Sequence, residues 1–156
     1  MLQAIFIAIT ISSLFLALPV VAICPTGWTT DGVSCYMFNL ISSEGFEECR
    51  SRCTALGAST LCITNATTNA WAHSRTLYPT WIGYTDLPER LGQYTWSKST
   101  GCNSTYSNWN TGEPSALENV AIFAIQWTHG KWNNVADNNP QGCACQIIDG
   151  AGAVSE

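Results

Sequence analysis

Positively charged residues are scarce in this chain of 156 residues. The six Lys and Arg residues are scattered between Arg50 and Lys131 without forming a cluster, and the formal net charge is −5. Proteins that bind nucleic acid or anionic lipid carry a basic patch that attracts phosphate groups. The sequence therefore argues against both classes of partner.

Catalytic motifs are also absent from the sequence. It contains no nucleophile motif, no phosphate-binding loop and no pair of catalytic carboxylates, and the adjacent Glu47 and Glu48 are typical of the solvated end of a helix. His73 and His129 lie far apart in the chain without a second ligand at metal-binding spacing, so we expect both at the surface. We therefore predict a binding protein and not an enzyme.

The N-terminal segment is the one long apolar run. Leu2 to Ala22 is almost wholly apolar, and the small residues Val20 and Ala22 suit the −3 and −1 positions of a signal-peptide cleavage site. The run approaches the roughly 20 residues that a membrane span needs, so an uncleaved anchor is the alternative. No later segment of the sequence is long and apolar enough to span. We predict a signal peptide at 1–22 and a secreted, extracellular protein.

Eight cysteines follow this segment. An exported domain of this size with an even number of cysteines is typically stapled by disulfide bonds, and in this setting disulfides are favoured over zinc binding. Asn65 and Asn103 each begin an Asn-X-Thr acceptor for N-glycosylation, which agrees with passage through a secretory pathway. We therefore predict a single disulfide-stapled, glycosylated domain over 23–149 and a flexible tail at 150–156.

Hydrophobic spacing predicts two helices. The first runs from Ser43, a plausible N-cap, to Leu56, with Gly57 just beyond its C-terminus. The second runs from Thr67 to Leu77. The residues expected to form the buried stripes are Phe46, Cys49, Cys53 and Leu56 on the first helix and Ala70, Trp71, Ser74 and Leu77 on the second.

The other segments are predicted as strands and one long loop. Residues 97–118 are rich in Ser, Gly, Asn, Thr and Pro and lack periodicity, which in a compact domain is typical of a functional or a disordered loop. The predicted strands are a hairpin from Gly27 to Phe38 that turns at Asp31-Gly32, Thr80–Tyr84, Val120–Gln126, Lys131–Asn134 and Cys143–Ile148.

Oxygen-bearing side chains stand on both sides of the apolar run from Val120 to Trp127. A strand pair that turns back on itself would bring them into one small site. Carboxylate, amide and hydroxyl oxygens are hard ligands that suit Ca²⁺ better than a soft metal. The sequence therefore predicts one Ca²⁺ site whose outer face is open to a neutral ligand. Its five residues are Glu113, Ser115, Glu118, Asn133 and Asn134.

The order of these pieces resembles the C-type lectin-like domain. The resemblance covers Cys24 to Gln146 and rests on the motifs CPTGWTTDGVSCY, CTALGA, WIGY, YTWSKSTG, NWNTGEPS, GKWNN and CACQ. It implies an α+β fold in which two helices flank small antiparallel sheets and a long irregular loop carries the ligand. It also implies two disulfide bonds, which are Cys24–Cys35 and Cys53–Cys145.

The family's second core disulfide is missing, because Val120 and Asp137 stand at its two positions. The four cysteines that remain allow three pairings. Cys49 lies one helical turn before Cys53, and Cys143 would share a strand face with Cys145, so helix and strand could carry two parallel bridges. That arrangement favours the pairs Cys49–Cys143 and Cys62–Cys102.

The resemblance assigns Ca²⁺ to the five oxygen-bearing residues and sugar hydroxyls to four of them, which are Glu113, Ser115, Glu118 and Asn133. Sugar-binding members hold Ca²⁺ with Glu-Pro-Asn or Gln-Pro-Asp, a following Glu and an Asn-Asp pair. Ser115 and Asn134 depart from this pattern, because one is a short hydroxyl and the other lacks a charge. We therefore expect weak Ca²⁺ binding, with a cis peptide bond between Glu113 and Pro114.

The acidic residue first in the tripeptide resembles the mannose-type order, and the short loop after it has no aromatic residue to stack on galactose. Mannose, fucose or glucosamine-like sugars are therefore favoured. The expected partners are microbial or cell-surface glycans, and a homo-oligomer would strengthen single weak sites through multivalency. The alternative is a Ca²⁺-independent structural or interaction module of the same fold that binds protein, mineral or ice.

Overall fold

A computed structural model describes residues 23–86, 93–97, 101–115 and 122–148. The predicted signal peptide, the predicted tail from 150 onward and Glu118 lie outside the described residues. None of the helices within the described ranges is long and apolar enough to cross a membrane.

The strands are β1 Thr29–Thr30, β2 Cys35–Glu44, β3 Ser59–Thr60, β4 Thr80–Asp86, β5 Thr95–Trp96, β6 Ile122–Gln126, β7 Trp132–Ala136 and β8 Gln141–Ile147. The helices are α1 Phe46–Ala55, α2 Ala66–His73 and a 3₁₀ turn Thr128–Gly130.

The described strands form a mixed sheet in the order β1-β2-β8-β4-β6-β7, with β3 paired to β8 and β5 paired to β4. The pairs are antiparallel except for the contact between β4 and β8, which is parallel. The long strand β2 runs beside β8 so that Cys35 faces Ile147. With its two helices, this arrangement confirms the predicted α+β class.

The first helix begins three residues later than predicted. Ser43 and Glu44 belong to β2, where Glu44 pairs with Gln141 of β8, so Gly45 is the N-cap. Pairing with β8 extends the strand through residues whose local sequence also suits a helix start. The helix ends as predicted, because Gly57 adopts the positive φ of +68° that a C′ residue favours.

The buried faces of both helices differ in part from the prediction. Phe46, Cys49 and Cys53 are buried as predicted, but Leu56 is 43 % exposed. On α2 the buried residues are Asn69 and Ala72; of the predicted stripe only Trp71 packs against the core, half-buried beside Tyr36, and Leu77 lies beyond the helix with 75 % exposure. The helix ends early because the Asn39 side chain binds the chain just after it, donating to the Arg75 carbonyl and accepting from the Leu77 amide.

Two buried clusters lie on the sheet. One packs α1 against β4 and β6, where the rings of Phe46 and Phe123 stack at 4.0 Å and both meet Trp81 edge-on. The other lies beneath α2 and the irregular loop, with Trp132 fully buried at its centre beside Trp96. This second cluster supports the loop that carries the candidate site.

Four disulfide bonds tie the elements together, and no cysteine is free. Two of them run side by side between α1 and β8, with Cα–Cα distances of 5.5 and 5.3 Å. A third clips the N-terminal hairpin, and the fourth fastens the start of the irregular loop to the segment after β3. The pairs are Cys24–Cys35, Cys49–Cys143, Cys53–Cys145 and Cys62–Cys102, the same four that the sequence analysis gave.

Candidate calcium and glycan site

The irregular loop reaches the site by attaching itself to the outer edge of β7. Trp109 and Trp132 form a parallel bridge, in which the Trp132 amide donates to the Asn108 carbonyl at 3.0 Å and the Asn110 amide donates to the Trp132 carbonyl at 2.8 Å. Burial of the Trp132 ring fixes the register of this contact. The loop residues that follow therefore lie beside the two asparagines that come directly after Trp132.

Glu113 binds the backbone on both sides of the site. Its Oε2 accepts hydrogen bonds from the amides of Ser115, at 3.0 Å, and Asn134, at 3.3 Å. The Asn134 amide belongs to the peptide that joins Asn133 to Asn134, so the carboxylate lies at the junction of the two asparagines. The peptide bond between Glu113 and Pro114 is cis.

Ser115 and Asn134 bind each other. Asn134 Oδ1 accepts from both the amide and the hydroxyl of Ser115, each at 2.9 Å, and Asn134 Nδ2 donates to the Ser115 carbonyl at 2.8 Å. Asn134 is only 5 % exposed, so water competes little for these bonds. The two residues that depart from the family pattern are thus joined to one another.

Asn133 offers an oxygen that the described residues leave unused. Its Oδ1 is buried and accepts no hydrogen bond from any residue that the structure describes. A buried polar atom left without a partner costs about 1–3 kcal/mol, so native proteins rarely retain one without a ligand, ion or water to satisfy it. An unsatisfied amide oxygen, on the residue before the one whose amide binds Glu113, is a suitable ligand for a hard cation or a hydroxyl donor.

Tyr94 lies under the site and was not singled out by the sequence analysis. Burial of its ring and hydroxyl raises the pKa of Tyr94 to about 12; the nearby Asn134 side chain partly offsets this rise, and the charges of Asp86 and Glu113 add to it. Asp86 ends β4 and is 3 % exposed. The structure therefore adds a buried phenol and a further carboxylate to the surroundings of the predicted residues.

The described part of the site fits a cation with fewer open ligands than the sequence predicts. Hydrogen bonds join Glu113, Ser115 and Asn134, Asn133 precedes Asn134 on β7, and Glu118 lies outside the described residues. Among the four that are described, Glu113 and Asn133 keep oxygens available, whereas Ser115 and Asn134 satisfy each other. This division leaves Glu113 and Asn133 as the described residues that could hold a cation.

Asn69 on α2 joins the helix to the hairpin that carries the site. Its Nδ2 donates to the Gly130 carbonyl at 2.8 Å, and its Oδ1 accepts from Gln126 and Trp132 at 2.9 and 2.8 Å. The sequence analysis missed this residue, although a lone Asn inside a helix pattern is a signal for a buried polar contact.

Comparison with known proteins identifies the family. The family model described as "Lectin C-type domain" matches residues 42–147, and the chain belongs to this family of C-type lectin domains, whose members are generally non-enzymatic binding proteins. The human secretory phospholipase A2 receptor is 36% identical over 109 residues, which are 65% of this chain and 7% of the receptor. The ladderlectin of Oncorhynchus mykiss is 27% identical over 125 residues, 74% of this chain and 63% of that protein. The chain thus spans only a small part of the receptor.

Solved structures with the same fold include several carbohydrate-recognition domains. The domain of cow CD23, solved in the presence of a GlcNAc2Man3 oligosaccharide, has a TM-score of 0.71 at 25% identity and covers 81% of this chain and 97% of its own. The mouse scavenger receptor C-type lectin domain gives 0.70 at 23% identity, over 80% and 98%. A calcium-independent type II antifreeze protein gives 0.72 at 16% identity, over 81% and 95%.

Proposed function

We propose that this chain is a secreted lectin that binds a carbohydrate with the help of one weakly held Ca²⁺. The observation that carries the proposal is the buried, unpartnered Oδ1 of Asn133, the residue before Asn134, whose amide donates to the Glu113 carboxylate at 3.3 Å. Both groups are hard oxygen ligands, and both occupy positions that sugar-binding members of the family use. The sequence assigns the cation to Glu113, Ser115, Glu118, Asn133 and Asn134, and the sugar to all of these but Asn134; of the four described residues, Glu113 and Asn133 keep free oxygens and are the proposed principal ligands.

The chemistry of such a site follows from its oxygens. Ca²⁺ accepts up to about eight oxygen ligands in irregular geometry, so two vicinal sugar hydroxyls can complete its coordination. Glu113 and Asn133 accept hydrogen bonds from those hydroxyls, since neither can donate through the oxygen it presents. Mannose, fucose or glucosamine-like sugars are favoured because the acidic residue comes first and no aromatic residue follows it closely.

Family membership and one solved relative support a glycan partner. The cow CD23 domain is the neighbour at 25% identity whose structure was determined in the presence of an oligosaccharide. That oligosaccharide contains mannose and N-acetylglucosamine, the sugar class favoured by Glu113. Microbial or cell-surface glycans are therefore the proposed partners, and clustering of several copies would raise the avidity of a weak site.

The proposed glycosylation sites and the disulfides agree with secretion. Asn65 and Asn103 are both exposed. They lie near each other, because Cys62 is bonded to Cys102 and the Ser104 hydroxyl donates to the Ile63 carbonyl at 3.1 Å. Two attached glycans would therefore stand on one patch of the surface. Expression in a secreting eukaryotic cell, followed by enzymatic removal of N-glycans and mass spectrometry, tests both positions.

The second candidate function is a Ca²⁺-independent interaction module that binds protein, mineral or ice. The observation in its favour is the mutual satisfaction of Ser115 and Asn134, which withdraws two of the five proposed ligands from a cation. The fold itself is compatible with this candidate, since a calcium-independent antifreeze protein shares it.

A glycan array with and without chelator separates the two candidates. We expect the wild-type protein to bind mannose- or fucose-containing glycans in millimolar Ca²⁺ and to release them in chelator. Glu113→Gln should abolish binding, because it removes the charge that attracts Ca²⁺. The matched control is Glu47→Gln on the exposed N-terminal turn of α1, which should bind as the wild type does.

Two outcomes would overturn the lectin proposal. Binding to protein, mineral or ice that persists in chelator, without any glycan signal, supports the second candidate. If a calorimetric titration in millimolar Ca²⁺ shows no heat of binding, and Ca²⁺ does not stabilise the protein, the site does not bind the cation.

A further inference from the structure

We propose that Ser115 and Asn134 form a metal-independent lock that holds the loop 108–115 against β7. The lock consists of the three hydrogen bonds between these two residues. It concerns the same site as the proposed lectin activity, but it depends on the hydrogen bonds alone and stands whether or not a cation or a glycan binds. Its consequence is a binding loop that is ordered before any ligand arrives.

The geometry of the lock uses the full hydrogen-bonding capacity of the Asn134 amide oxygen. Oδ1 has two lone pairs, and both are occupied, one by the Ser115 amide and one by the Ser115 hydroxyl. In return Asn134 Nδ2 donates to the Ser115 carbonyl. Hydrogen bonds that run in both directions between two residues fix their relative orientation and not only their distance.

Asparagine suits this role better than the acidic residue that the family pattern places here. An aspartate could accept from the Ser115 amide and hydroxyl, but it has no donor for the Ser115 carbonyl and would place a negative charge against that oxygen. A cation would then be needed to hold the two oxygens together. Ser115 is equally well matched, because its short hydroxyl donates to the same oxygen as its own amide, which is shared between Asn134 Oδ1 and Glu113 Oε2.

Glu113 closes the arrangement. Its Oε2 accepts from the amides of the same two residues, at 3.0 Å for Ser115 and 3.3 Å for Asn134. Five hydrogen bonds therefore connect three residues from two separate segments. The bridge between Trp109 and Trp132 holds the other end of the loop, so both ends are attached to β7 by direct contacts.

The four described residues of the site have two separate roles, which are holding the loop and offering oxygens to a ligand. Ser115 and Asn134 hold the loop, and Glu113 and Asn133 keep the oxygens that a ligand can use. A ligand that meets an ordered loop does not have to bear the entropic cost of ordering it, which favours binding by groups that are individually weak. The two departures from the family pattern are thus compensating changes and not independent losses.

Amide hydrogen exchange in the presence and absence of Ca²⁺ tests the lock on the intact protein. The informative amides are those of Ser115 and Asn134, which exchange slowly only when the loop stays attached. We expect equal protection of these amides in chelator and in about 10 mM Ca²⁺, a concentration chosen to exceed the weakest class of protein Ca²⁺ sites. Fast exchange in chelator that Ca²⁺ slows would overturn the lock, because a cation would then be holding the loop.

Substitutions extend the test. Asn134→Asp removes the donor to the Ser115 carbonyl and places a negative charge against that oxygen, so exchange of the Ser115 amide in chelator should speed up by roughly 10-fold, the effect expected from losing one shielded hydrogen bond. Added Ca²⁺ should restore protection in this variant, since a second carboxylate then faces the cation. A purely structural defect would not recover with Ca²⁺. Unchanged exchange in chelator for this variant would overturn the lock.

Two controls match these changes. The control for Asn134→Asp is Asn138→Asp, which introduces the same charge on an exposed residue of the turn after β7. The control for Ser115→Ala is Ser107→Ala, which removes an exposed hydroxyl from the same loop. We expect both controls to exchange as the wild type does, whereas Ser115→Ala accelerates the Ser115 amide by roughly 10-fold. If the wild-type protein binds neither Ca²⁺ nor glycan, the proposed lectin activity fails, while protection in chelator still supports the lock.

Discussion

Asn69 accepts a hydrogen bond from the indole nitrogen of Trp132, with Oδ1 2.8 Å from Nε1. This bond joins α2 to the first residue of β7, and Asn133 and Asn134 follow directly along the strand. Because Asn69 also binds Gln126 and the Gly130 carbonyl, a single buried side chain fixes the helix, the end of β6 and the start of β7 in one arrangement. The position of the candidate site therefore depends on a residue that does not belong to it.

Replacement of Asn69 by Leu should destabilise the protein strongly. The change leaves the Trp132 indole unsatisfied, at a cost of about 1–3 kcal/mol, and removes one hydrogen bond each from the Gln126 amide, which keeps the backbone carbonyl of residue 69, and from the Gly130 carbonyl, which keeps Asn108 Nδ2. We expect the free energy of unfolding to fall by about 3–5 kcal/mol, measured by urea denaturation. Ala70→Ser, at the exposed next position of α2, should stay within about 0.5 kcal/mol of the wild type. A loss equal to that of the control would show that these contacts carry no net stability.

Asp137 should act as the cap of α1, because Gly45 has no side chain to do so. Its Oδ1 accepts from the Glu47 amide at 3.1 Å, and a carboxylate is favourable at the positive end of a helix dipole. Asp137→Ala should lower the free energy of unfolding by about 1 kcal/mol, and Asp137→Asn by less, since the acceptor remains. Urea denaturation measures both variants, with the exposed neighbour change Asn138→Ala as control. Equal losses for Asp137→Ala and the control would contradict the cap.

Removing both parallel disulfides should lower the free energy of unfolding by more than the sum of the two single removals. The first bridge between α1 and β8 closes a long loop, with a sequence separation of 94 or 92, and contributes about 4.7 kcal/mol through chain entropy. Once that bridge is present, the second closes a loop of only about eight residues and contributes about 2.5 kcal/mol. Removing Cys49–Cys143 or Cys53–Cys145 alone should therefore cost about 2.5 kcal/mol, and removing both about 7 kcal/mol.

Paired Cys→Ala substitutions and chemical denaturation measure this non-additivity. The control combines loss of Cys24–Cys35 with loss of Cys49–Cys143, whose loops are separate, so that these two effects should add. Simple additivity for the parallel pair as well would contradict the shared-loop argument.

Tyr94 should make the stability of the protein depend on alkaline pH. Burial raises the pKa of Tyr94 to about 12 in the folded protein, above the value of about 10 for an unfolded tyrosine. The group therefore contributes its full stability below about pH 10 and loses that contribution as the pH rises towards 12. Tyrosinate absorbance should show a late step, to which other buried tyrosines such as Tyr36 also contribute because burial raises their pKa; Tyr94→Phe should lower its amplitude by one tyrosine, whereas Tyr78→Phe, which removes an exposed ring, should leave it unchanged. Persistence of the full late step in Tyr94→Phe would contradict the assignment.

The features that the sequence predicted well depend on local signals. Asp31-Gly32 sets the first hairpin turn, and Gly57 ends α1, because few other residues adopt the backbone conformations required there. The bridge Cys53–Cys145 came from the family resemblance, and two repeats, one helical turn between Cys49 and Cys53 and one strand repeat between Cys143 and Cys145, then favoured Cys49–Cys143 beside it.

The features that it missed depend on tertiary contacts. Glu44 is compatible with a helix start, and only pairing with β8 keeps it in a strand. Asn69 and Ala70 are neighbours on α2, and the position of the hairpin beneath the helix decides which one is buried. The bond between Ser115 and Asn134 could not be anticipated, since it requires the loop and β7 to be aligned to within the length of a hydrogen bond.

The pairing of Cys35 with Ile147 brings both ends of the described domain to one edge of the sheet. Cys24 is bonded to Cys35 with their Cα atoms 5.5 Å apart, so the entering and leaving chains stand side by side. In the order of strands, β4 and β6 separate β8 from β7, which carries Asn133 and Asn134. A tag, carrier or solid support joined at either terminus would therefore immobilise the molecule in much the same orientation, with the candidate site held away from the point of attachment.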